Sequence, residues 1–103
     1  NLKCITINFY AKSGIITKIS KIDKIKELSD CKIGIIQSHL GQKCDEDHAI
    51  LSKIGMFYFC NSSSAELKKD VDFLYSNFEV KDENGNDMIY DYVDSNFIDN
   101  WWD

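Results

Sequence analysis

Cys44, Asp45, Glu46, Asp47 and His48 stand in one unbroken run, with His39 a few residues before it. Thiolate, carboxylate and imidazole are the ligands zinc and related metals take. The same residues offer a Cys/His pair for nucleophilic catalysis, Cys44 with His48 or Cys60 with His39, the imidazole accepting the thiol proton. The chain holds no C-x-x-C pair and no third group placed to orient either imidazole, so the run reads as a solvated acidic loop. No catalytic, cofactor-binding or metal-ligating residue is assigned. A further candidate is Trp101-Trp102, whose large faces suit a ligand or partner domain, or alternatively staple the chain end onto its own core.

Composition narrows the function classes. All 12 basic residues are Lys, scattered against 17 acidic ones for a net charge of -5, which argues against nucleic acid. Without Arg, carboxylate or phosphate recognition falls to Lys and backbone N–H groups. The four cysteines, Cys4, Cys31, Cys44 and Cys60, are widely spaced and three sit in apolar runs. Such thiols suit burial in a reducing cytoplasm, the expected location, and a chain that is 44% hydrophobic does not need disulfides. No run approaches the roughly 18 to 20 apolar residues of a membrane helix. Leu2-Lys3-Cys4-Ile5 is too short and polar for a signal-peptide core, and a chain opening on Asn1 is expected to continue upstream.

Positioning these residues falls to an α+β domain spanning residues 1–103. Ile5, Ile7, Phe9 and Ala11 alternate with polar residues, the period of a strand with one buried face. Ser13-Gly14 breaks it, and Ile15 to Ile19 is expected to return as the second arm of a hairpin. Ser20 before Ile22, Ile25 and Leu28 predicts a helix of two turns. Cys31 to Gln37 reads as a strand, and the nearly all-apolar Ile54 to Cys60 as the central one. Ser63 with Glu66 forms a capping box ahead of Leu67, Val71, Leu74 and Phe78, one face of a long helix. Asn84-Gly85 suits a tight hairpin. The sum is an antiparallel sheet of four or more strands with two helices, the longer packed on one face. Residues 91–103 form an acidic aromatic tail, either a short amphipathic helix docked at home or a contact for another chain in a homo-oligomer.

Phe9-Tyr10-Ala11-Lys12-Ser13-Gly14-Ile15-Ile16 resembles the strand and Gly turn that open the last domain of ATP-grasp ligases related to carbamoyl-phosphate synthase and L-amino acid ligases. The resemblance continues through Ile22-Asp23-Lys24-Ile25, Gly41, Lys53-Ile54-Gly55, Ser64-Ala65-Glu66-Leu67 and Val80-Lys81-Asp82-Glu83-Asn84-Gly85, covering roughly residues 5 to 90. Lys53 stands where many relatives carry Arg, and Lys12-Ser13 replaces a commoner Pro-Gly approach. The resemblance implies a non-catalytic C-terminal domain that helps shape or cover the active site of a carboxylate-amine ligase. Its partner would be the preceding ATP-grasp domain of the same chain, and ATP and Mg²⁺ would be held there and not in this region. Lys53 is the substrate-proximal candidate. The alternative is a free-standing small-molecule-binding or regulatory α+β module.

Overall fold

The computed structural model describes residues 1–45 and 52–101, the last two by backbone alone. In chain order the elements are β1 (Lys3–Tyr10), β2 (Gly14–Ile15), β3 (Lys18–Ile19), α1 (Asp23–Lys26), β4 (Cys31–Ile36), β5 (Lys43–Cys44), β6 (Lys53–Asn61), α2 (Ser64–Asn77), β7 (Val80–Lys81) and α3 (Phe97–Trp101). The class is α+β with antiparallel pairing.

The period of two in β1 turns Ile5, Ile7 and Phe9 inward and leaves Thr6 and Asn8 exposed. β1 runs antiparallel to β6, Ile5 opposite Phe59 and Ile7 opposite Phe57. The other edge of β6 takes β4, Ile35 opposite Met56, so the order is β1-β6-β4 with the most apolar strand in the centre. Gly55 is required there, because a Cβ would stand 2.9 Å from the backbone oxygen of Ile35.

α2 covers one face of this sheet. Ser63 caps it by accepting the Glu66 N–H at 3.3 Å, and Leu67, Val71, Leu74 and, just past its end, Phe78 are buried against Phe57 and Phe59. Phe9 is the centre of an aromatic group, stacked on Phe78 at 5.1 Å and edge-on to Phe57 at 6.1 Å. The opposite face carries Thr6, Asn8, Met56, Tyr58, Ile33 and Ile35, and none of the described helices covers it; Ile33 and Ile35 are 41% and 44% exposed.

Among the described residues the expected hairpin of β1 with Ile15 to Ile19 and the expected sheet of four or more strands do not form: the largest sheet has three strands, and the remaining short strands make two-stranded ribbons. Gly14, at φ 146°, turns the chain away from β1, so that β2 pairs with β5 and β3 with β7. Ser20 caps no helix. Its hydroxyl donates to the Glu79 carbonyl at 3.1 Å and accepts the Glu79 N–H at 2.9 Å, clipping β3 to the strand that follows α2. α1 is a single turn that buries Ile25. The Asn84-Gly85 turn is present, with Gly85 at φ 78° and Asp82 Oδ1 accepting the N–H groups of Asn84 and Asn86 at 2.8 and 2.9 Å. The described part of the tail packs on this chain: α3 lies on α2, Ile98 enters the core, and Lys68 pairs with Asp99 at 2.9 Å.

Candidate functional site

Lys53 opens β6 opposite Tyr10 and is half-buried. The chain around it is tied down by short-range polar contacts. Ser38 Oγ donates to the Lys53 carbonyl at 2.9 Å, Gln37 N–H to the Ile54 carbonyl at 2.7 Å, and Ala11 N–H to the Ser52 carbonyl at 2.9 Å. Ser52 Oγ in turn meets the backbone of Asp45 at 3.2 and 3.3 Å. The ammonium of Lys53 makes no ion pair or hydrogen bond among the described residues. These contacts fix the backbone that carries the Lys53 ammonium at this end of β6.

The other candidates of this end fare differently. Cys44 is buried, and that burial pushes its thiol up, the reverse of what an attacking thiolate needs. His39 sits in the loop beyond β4 with Nδ1 3.0 Å from the Leu40 carbonyl. Its proposed partner Cys60 lies at the far end of β6, beyond seven residues of extended chain or roughly 20 Å, so the Cys60–His39 pair does not exist. Glu46, Asp47 and His48 lie outside the described residues, and with them the Cys44–His48 pair; Trp102 and the Trp101 ring do so too.

A cavity of about 270 Å³ opens beside β1, and its origin is topological. The returning chain pairs with the end of β1, Lys12 N–H to the Met88 carbonyl at 2.7 Å and Tyr90 N–H to the Tyr10 carbonyl at 2.8 Å. It then leaves the strand at Asp91. The backbone of Thr6 to Phe9 forms the floor, Tyr75 of α2 a wall, and Asp91, Val93 and Phe97 the roof. Burial raises the Tyr75 hydroxyl to about 12, so it stays neutral and donates to the Val93 backbone. Tyr92 stands edge-on to Tyr75 at 5.3 Å and donates its hydroxyl to Asp87 at 2.9 Å, which pins the tail in place.

Two clusters escape sequence reasoning. Cys60 Sγ lies 2.6 Å from Cys4 Sγ, and Asp70, buried on α2, faces Asp30. The Asn61 side-chain amide nitrogen donates to the Asp30 carboxylate, 3.0 Å from both of its oxygens. Burial, and then the neighbouring Asp30, raise Asp70 to about 7. As a carboxylate its Oδ2 has no donor among the described residues; protonated, it donates to Asp30. Both pairs join residues far apart in the chain, and only strand register and helix placement bring them together.

Comparison of the chain with family models, curated proteins and solved structures finds no match in any of the three.

Proposed function

We propose that this chain is a non-catalytic domain of an ATP-dependent carboxylate-amine ligase of the ATP-grasp type, packed beside the preceding ATP-grasp domain and helping to shape or cover its active site. The open sheet face is the structural observation that supports this reading. Ile33 and Ile35 are more than a third exposed beside half-buried Met56 and Tyr58, an apolar strip suited to a neighbouring domain. Such a ligase activates its carboxylate as an acyl phosphate; on this reading Lys53 would supply a cation near that anion and the domain would help position substrate, while ATP and Mg²⁺ stay on the preceding domain. Calorimetric titration of residues 1–103 with MgATP should give no binding heat, and a longer chain joining this domain to the ATP-grasp domain proposed to precede it should release ADP only when a carboxylate and an amine are both supplied. Micromolar MgATP binding by residues 1–103, or absence of acceptor-dependent ADP release from the longer chain, sinks the reading.

The cavity beside β1 favours a second reading, a free-standing module that binds a small molecule. At about 270 Å³ it lies just below the usual range for ligand pockets. A screen of small apolar fragments observed by NMR decides: shifts focused on Tyr75, Val93 and Phe97 support this module, and a silent cavity rejects it.

A further inference from the structure

Cys4 and Cys60 stand directly opposite each other on β1 and β6, with their sulfurs 2.6 Å apart. Directly opposed residues of antiparallel strands have Cα separations of about 4.5 to 5.5 Å, inside the range a disulfide spans. Both are free thiols. They occupy the sheet face that no described helix covers, with Tyr58 on the same face and Lys32 nearby. Cys31, opposite Phe59, belongs to the other face, and Cys44 pairs with Gly14 near the opposite end of the sheet. The two sulfurs are also unequal. Cys4 is half-buried while Cys60 is 5% exposed. The Cys60 thiol beside it, then the Tyr58 hydroxyl, holds Cys4 below the ordinary thiol value, whereas burial pushes Cys60 up.

We propose that Cys4 and Cys60 form a reversible oxidation site, in which a low-molecular-weight disulfide of the glutathione class reacts at Cys4 and Cys60 closes a disulfide across β1 and β6. The Cys4 thiolate attacks one sulfur of the reagent, breaking its S–S bond and releasing one thiolate. Cys60 then loses its proton to solvent and attacks Cys4 Sγ, expelling the second thiolate. Two protein thiols are oxidised and one reagent disulfide is reduced to two thiols. Cys4 is the entry point because its sulfur is the accessible and more acidic one. The closed bond would tie the first strand of the chain to the central strand. The site needs no particular activity of the protein and stands apart from the ligase reading.

The test incubates the reduced 103-residue chain with oxidised glutathione under native conditions, alkylates the remaining thiols and maps them by mass spectrometry. The expected product is a monomer about 2 Da lighter before alkylation; after alkylation a peptide containing Cys4 is linked to one containing Cys60, while Cys31 and Cys44 carry the alkyl group. Cys60→Ser should instead accumulate a stable glutathione adduct on Cys4, and addition of dithiothreitol should restore the dithiol. Cross-linked dimers, a lasting adduct on Cys4 of the unmodified chain, or equal reaction at all four cysteines would overturn the proposal.

Discussion

Asp70 shows how one side chain can make stability depend on pH. Folding moves its carboxyl from the ordinary 3.8 to about 7, because ionisation would leave a buried charge beside Asp30 with Oδ2 lacking a donor. A raised carboxyl favours the folded state while protonated. Its contribution is therefore complete below about pH 4 and is lost as pH rises to about 7. At about 1.4 kcal/mol per unit the loss is at most about 4 kcal/mol, shared with Asp30. Denaturant midpoints of the native chain should fall between pH 5 and pH 8, and Asp70→Asn, which keeps a donor without the charge, should flatten that fall. Gly55 is constrained in another way. Its missing Cβ would press on the Ile35 carbonyl, which is backbone held by the sheet and cannot swing aside. Gly55→Ala should cost about 1 to 3 kcal/mol, measured by chemical unfolding, where alanine in a strand otherwise tends to help.

At the scale of elements, local signals survive and distant pairings do not. α2 was legible because its cap, Ser63 to Glu66, and its stripe, Leu67 to Phe78, are set within one run of chain. Ser63→Ala should lower stability by about 1 kcal/mol in thermal unfolding. β1 and β6 were legible for the same reason, by alternation and by continuous apolarity. β2 and β3 were not, since a two-residue strand carries no period, and their partners Lys43–Cys44 and Val80–Lys81 lie far along the chain. Ser20 looked like a cap because its spacing was right, yet the Glu79 backbone offers it both a donor and an acceptor. Of the site, Lys53 could be singled out only by resemblance, while Cys4–Cys60 and the cavity under the tail depend on register and on where the returning chain leaves β1. α3 joins the core through Ile98, 1% exposed, so Ile98→Ala should cost about 2 to 5 kcal/mol by calorimetry.

Across the whole molecule the sheet is asymmetric. One face holds Phe57, Phe59 and the α2 stripe at essentially zero exposure, and the other leaves Ile33 and Ile35 at 41% and 44%. The aliphatic strip on β4 is too exposed to contribute much to the fold of this chain, yet it is the sort of surface a packed domain covers. Replacing both residues, Ile33→Glu with Ile35→Glu, separates these two roles. Each side chain can turn its carboxylate into solvent, so the double variant of residues 1–103 should lose no more than about 1 kcal/mol, which for a domain of this size is a fall in Tm of roughly 4 to 8 °C. Under the ligase proposal, the effect on binding to the separately produced ATP-grasp domain should be larger. Two carboxylates carried into an apolar contact must be desolvated without partners, and affinity measured by titration calorimetry should fall at least tenfold, a change of about 1.4 kcal/mol. A much larger drop in Tm of the isolated domain would make the strip part of this chain's own core. Unchanged affinity with intact stability would place the contact on another surface, with the cavity side of β1 the next face to test.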